Sequence, residues 1–124
     1  MYAYIESIEA PAQTAPGSLV TVTVSLRNYG EGGYLAATGL VTGKNTGISF
    51  GITFLPGYQW HGPDITQDYT ATFTMPNEPV FISVESWHWD GYQWVPDEIK
   101  WADIGIPVVV GPAEFRALSA VFNG

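Results

Sequence analysis

Few side chains in these 124 residues are able to do chemistry. There are two histidines, His61 and His88, and no cysteine, which excludes thiol nucleophiles, thiolate metal sites and disulfides. A catalytic histidine needs a partner that orients it. His61 lies in a Gly/Pro-rich loop, where it is free to contact a partner. His88 falls on the core side of a predicted strand, where a lone histidine is usually a satisfied structural group. Glu85 and Asp97 fall near opposing strand positions and would suit the paired carboxylates of a glycosidase, but their predicted faces differ. No His-Glu-x-x-His or phosphate-loop motif occurs. Calcium is the one ion to weigh, with Asp64 and Asp68, or Asp97 and Glu98, as ligands. The EF-hand spacing is missing, so no metal site and no cofactor are assigned. The expectation is a protein that is not an enzyme.

Aromatic residues are the other resource. PGYQWHGPD at 56–64 is echoed by DGYQWVPDE at 90–98. The residues before each copy share only alternation, so coincidence of turn chemistry explains the echo better than duplication.

Four Lys+Arg against twelve Asp+Glu give a formal charge of −8, which repels phosphate backbones and excludes nucleic acid as a partner. No apolar run approaches the roughly 18 residues of a membrane span, and the first residues lack the pattern of a signal peptide.

The elements that position these residues read as strands. In SLVTVTVSLRN, residues 18–28, Val20, Val22, Val24 and Leu26 alternate with Thr21, Thr23, Ser25 and Arg27, one half-buried strand between two turns. Further strands are expected near 2–9, 34–43, 47–55, 67–75, 80–89 and 92–103, with a domain covering 1–104. Residues 105–124 form an extension in which Val109, Phe115, Leu118 and Phe122 suit docking on a neighbouring subunit. Its later part fits a short amphipathic helix opened by Pro112 as well as it fits a strand.

Asp90-Gly91 predicts a two-residue type I′ hairpin. Opposed residues then have numbers summing to 181, which puts Val80, Ile82, Val84, Val95, Ile99 and Trp101 on the core face and Trp87, Trp89, Tyr92 and Trp94 on the other. Counting strand directions brings the turns at 28–33, 56–64 and 90–91 to one end, and those at 10–17, 43–47 and 76–79 to the other. The first end then collects an aromatic pole of Tyr29, Glu31, Tyr34, Tyr58, Trp60, His61, Trp87, Trp89, Tyr92 and Trp94. That composition suits a protein contact or a sugar ring, and it equally suits a loop that covers a small second core.

APGSLVTVTVSLRNYG resembles the second-strand signature of bacterial immunoglobulin-like modules, including the cell-adhesion-related domain, and YTATFTMPNEPVFISVESW resembles their later strand, Met-Pro turn and strand. The resemblance implies an all-β, immunoglobulin-like or fibronectin-III-like antiparallel sandwich used for display, adhesion or spacing. It brings no catalytic residues. The resulting expectation is a noncatalytic structural or adhesive module on a virion or extracellular surface: a capsid decoration, tail or filament component acting through protein contacts or self-assembly. The alternative is a carbohydrate-binding or cell-adhesion module of a larger surface protein.

Overall fold

A computed structural model describes residues 2–107 of the chain. Seven strands follow one another: β1 (Ala3–Glu9), β2 (Leu19–Asn28), β3 (Gly33–Gly43), β4 (Ser49–His61), β5 (Thr66–Thr74), β6 (Val80–Trp89) and β7 (Trp94–Ile104). The alternation read in β2 holds. Val20, Val22, Val24 and Leu26 are buried, and the intervening Thr21, Thr23, Ser25 and Arg27 form the outer side. Burying each such aliphatic side chain contributes about 1.5–3 kcal/mol, which commits the strand to one register.

All pairings are antiparallel, and the strands form one sheet in the order β1-β2-β5-β4-β3-β6-β7. The expected all-β antiparallel class is therefore present. In place of two separate layers, however, the sheet curls until its edge strands meet and the barrel is nearly closed. Its interior is filled by Ile5, the β2 ladder, Leu35, Val41, Phe54, Tyr69, Val80, Ile82, Val84 and Ile104, among others.

Side chains make the closure between β1 and β7. Ala3 N donates to Asp97 Oδ2 at 2.8 Å and Ile5 N to Glu98 Oε1 at 2.6 Å. In return Ser86 Oγ donates to Ala3 O at 2.6 Å, and Lys100 Nζ to Ile5 O at 2.9 Å. Four polar side chains thus satisfy the outer backbone edge of β1, which would otherwise template pairing with another chain. The other weak join lies between β4 and β5, whose ladder holds only the pair Leu55↔Thr70. Gln59 Nε2 to Asp68 O (3.0 Å) and Gln67 Nε2 to Trp60 O (3.2 Å) reinforce it.

The β6–β7 hairpin differs from expectation. Trp89 opposes Trp94, not Tyr92, and a bulge after Ser86 moves the register again, so that Glu85 opposes Ile99 and Val80 opposes Ile104. The cause is Asp90. Its Oδ1 accepts the N–H groups of both Tyr92 and Gln93, at 2.7 and 2.8 Å, and Asp90 N donates to Gln93 O. This closes a four-residue loop where two residues were expected. The two added loop residues keep the side-chain parity and the bulge reverses it, so Ile99 and Trp101, expected in the core, lie on the outside at 47% and 64% exposure, and Ile104 takes the buried place opposite Val80.

The chain after β7 is pinned beside the β1–β2 connection, where Gly105 N donates to Ala12 O and Thr14 N to Gly105 O, both at 2.9 Å. The docking residues Val109, Phe115, Leu118 and Phe122, and the helix-or-strand alternative around them, lie outside the described residues.

Candidate contact face

One of the expected loops becomes strand, and this builds the site. β4 continues through Leu55-Pro56-Gly57 to His61, with a register shift in its pairing to β3 between Ala36 and Thr38. Tyr58 and Trp60 are therefore strand residues on the outer side, opposite Ala36 and Tyr34. Pairing then carries the same side across the sheet. Trp60, Tyr34, Trp89 and Trp94 stand in one row over β4, β3, β6 and β7, and Tyr58, Ala36 and Trp87 stand in the next. The tryptophans of the two GYQW copies end the same row from opposite sides.

The rings meet mostly edge to face. Tyr34 lies 5.2 Å from Trp60 at 80° and 5.6 Å from Tyr58 at 81°, and Trp89 lies 5.5 Å from Trp94 at 65°. Tyr58 reaches over the small Ala36 to within 6.0 Å of Trp94. Trp60 also rests on Gly32, where a Cβ would stand 2.8 Å from its ring, so only glycine admits the indole there. Trp87 is oriented by its indole N–H, which donates to Thr38 Oγ1 at 2.9 Å.

Among the described residues the face is open, and the 56–61 segment does not cover it as a second core. Tyr58 and Trp60 lie beside the other rings, not on top of them, and stay 60% and 55% exposed. Between the rings run shallow depressions, one of ≈ 360 Å³ lined by Tyr34, Tyr58, Trp89 and Trp94, and one of ≈ 290 Å³ lined by Ala36, Thr38, Trp87 and Trp94. A third of ≈ 450 Å³ adjoins at Thr38 and is lined by Gly39, Leu40, Ser83, Glu85, Ile99 and Trp101. Alternation alone does not find this lower part, because Ile99 and Trp101 reach it through the bulge.

Three residues expected at the aromatic pole lie elsewhere. His61 is fully buried: its ring stacks on Tyr69, Nε2 is 2.7 Å from the Tyr69 hydroxyl and Nδ1 is 3.2 Å from Ile65 O. The Tyr69 hydroxyl also donates to Leu35 O at 3.0 Å. A neutral imidazole and a phenol share two hydrogens among these three contacts. Burial pushes the His61 imidazole below its ordinary value, against the Ile65 carbonyl, and burial raises the Tyr69 phenol. His61 is thus a core residue of the barrel, carried inward by the continuation of β4. Tyr29 belongs to a separate cluster, 6.3 Å from Tyr2 and 5.2 Å from Tyr4, with the Arg27 guanidinium 5.0 Å from its centroid and Lys100 Nζ 4.6 Å over Tyr4. Tyr92 stands at the tip of the 90–93 loop, 92% exposed and outside the ring contacts.

Of the carboxylates weighed for catalysis or calcium, all but Glu85 have other partners among the described residues. Asp64 pairs with Arg27, whose guanidinium both it and Glu6 hold above its usual range, and Asp68 Oδ1 accepts from Ser25 Oγ at 2.6 Å. Asp97 binds Ala3 N and His88 Nδ1, at 2.8 Å each, inside the β1–β7 closure. Among the described residues no group of three or more His, Asp or Glu is arranged to hold a metal. No helix among them is long and apolar enough to cross a membrane.

No family model and no curated protein matches the sequence. Among solved structures, the ASH/PapD-like domain of human CEP192 (PapD-like domain 7) is 15% identical with TM-score 0.49, over 85% of this chain and 88% of that one. The sporulation control protein Spo0M from Bacillus subtilis is 19% identical with TM-score 0.47, over 99% of this chain and 56% of that one. A protein from Archaeoglobus fulgidus is 10% identical with TM-score 0.47, over 86% and 100%. These likenesses accompany an all-β antiparallel fold and carry nothing about what this chain does.

Proposed function

We propose that the chain is a noncatalytic contact module, a structural or adhesive domain that holds a protein neighbour against the outer face of β4-β3-β6-β7. One observation carries this reading: Tyr34, Tyr58, Trp60, Trp87, Trp89 and Trp94 form one contiguous aromatic surface on the sheet, exposed or half-buried and with no layer over it among the described residues. Aromatic side chains bury about 150–250 Å² each when covered and lose little rotamer freedom on binding, so a partner gains most by docking there. Soluble domains rarely leave such a patch unpartnered. The assembly we favour is a particle surface, with this chain as a capsid decoration, tail or filament component.

A second reading is carbohydrate binding, favoured by the exposure of Tyr58 and Trp60, whose rings are open to stack on a sugar. Two features weigh against it. The rings are tilted towards one another instead of forming a flat platform, and the ≈ 360 Å³ depression is lined by aromatic residues alone, with little polar chemistry to orient hydroxyls.

A photo-reactive residue at position 60, with position 21 on the β2 face as control, tests the choice in purified particles or envelopes containing the chain. The proposal expects cross-links to protein from 60 and none from 21. Equal yields from both positions would contradict it. Tryptophan emission that shifts with oligosaccharides, without protein cross-links, would establish the sugar reading instead.

A further inference from the structure

The three depressions on the aromatic face adjoin one another in a line. The first two share Trp94, and the second and third share Thr38. From the Tyr34–Trp89 row to the Leu40–Ser83 row the channel follows about six residues of strand, roughly 20 Å at 3.3 Å per residue, the length of a short extended peptide. Its upper part is walled by rings, and its lower part contains one carboxylate, Glu85, flanked by Leu40, Ile99 and Trp101. None of the ion pairs among the described residues uses Glu85. Such a channel fits a chain with apolar side chains and one cation.

The protein contains a segment of that description. Residues 108–124, VVVGPAEFRALSAVFNG, combine apolar residues with a single cation, Arg116. Glu114 balances Arg116, so the whole formal charge of −8 resides on residues 1–107. Two such bodies repel face to face, whereas a neutral tail approaches without that cost. At Gly105 the chain is bonded to Ala12 and Thr14 beside the β1–β2 connection, at the end of the barrel opposite the aromatic row. Seventeen residues span up to about 56 Å when extended, more than the length of the barrel's own strands.

We infer that the channel on the β3-β6-β7 face receives residues 108–124 of a second copy, with Arg116 paired to Glu85 and the apolar side chains Phe115, Leu118 and Phe122 set against the aromatic walls. A contact of this head-to-tail kind repeats from copy to copy and builds chains or rings. The inference rests on the contact role proposed for the face, and specifies who the neighbour is.

Sedimentation velocity of the full chain over a concentration series provides the test. Reversible association is expected, weakened about tenfold by Glu85→Lys and about tenfold by Arg116→Glu, and restored to within about threefold when both are combined. A synthetic peptide of residues 108–124 disperses the assemblies and shifts tryptophan emission, and Trp94→Ala removes both effects. Glu85 is an outer-face residue, so unchanged near-ultraviolet circular dichroism verifies that its variant is folded. A full chain that stays monomeric at every concentration overturns the inference, as does association indifferent to both charge reversals. A monomer whose tryptophan emission responds to Arg116→Glu places the tail on its own barrel and overturns it too. Cross-linking from position 60 does not depend on the tail, so a monomer that still captures a different protein there sinks this inference while leaving the contact role standing.

Discussion

The outer surface of the barrel has two halves built on the same rule and filled in opposite ways. On β2 and β5 the outward positions are Leu19 at the strand's start, then Thr21, Thr23, Ser25 and Arg27, and Thr66, Asp68, Thr70, Thr72 and Thr74. On β4-β3-β6-β7 they include Trp60, Tyr58, Tyr34, Trp87, Trp89 and Trp94, then Leu40, Ile99 and Trp101, beside the polar Thr38, Thr42, Ser83 and Glu85. β-Branched hydroxyl residues satisfy a pleated sheet and remain wet, so the first half needs nothing further. Sheet formation alone does not call for the second filling, because threonine would serve the same strands. The contrast within one barrel is what supports the contact role proposed for the aromatic half.

That comparison depends on an intact frame, and the largest expected effect comes from breaking the frame. Asp97→Ala removes the acceptor of Ala3 N and the partner of His88 together. It should cost about 3 kcal/mol in chemical denaturation, since a buried donor is left unpaired. A loss below about 0.5 kcal/mol would mean that the β1–β7 closure holds without its side chains. Trp60→Ala sharpens the contrast itself. If the face is an open contact surface, stability should fall by about 1 kcal/mol or less while partner capture is lost. If it were a covered second core, the loss would be about 3–5 kcal/mol.

His61 marks the boundary between face and core. Burial depresses its imidazole in the folded chain below the ordinary 6.5, so the unfolded chain binds the proton first as pH falls. Its contribution to stability is therefore constant above about pH 7 and is lost from about pH 6.5 downward until the folded-state value is reached. Melting temperatures from pH 8 to 5 should show this component in the wild type and lack it in His61→Gln. Identical slopes would place His61 back in solvent. The smallest effect is expected for Thr72→Ala on the polar half, within about 0.5 kcal/mol and without influence on partner capture.

Much of this was legible in the sequence, and each miss has a physical cause. The β2 ladder was read residue by residue, because alternation over eight positions leaves one way to bury four aliphatics. The outer placement of Trp87, Trp89 and Trp94 also held, although the register behind it did not. Asp90-Gly91 looked like a tight turn, but the Asp90 carboxylate captured two further N–H groups and lengthened the loop by two residues. The bulge after Ser86 then turned Ile99 and Trp101 outward. His61 was misplaced because Pro56-Gly57 and Gly62-Pro63 punctuate the stretch as a loop, whereas β4 absorbs the first pair and continues. The closure of β1 on β7 left a readable trace in Glu98 and Lys100, charged residues alternating on the inner side of a last strand, a known way to guard a sheet edge.

The central claim, that the aromatic half is covered by a neighbour and the threonine half is not, is tested most directly by hydroxyl-radical footprinting of the chain in its native assembly against the purified chain. The account predicts strong protection of Tyr58, Trp60 and Trp94 on assembly, with Tyr29 unchanged as an internal reference on the separate cluster. Equal oxidation of Tyr58, Trp60 and Trp94 in the two states would contradict it.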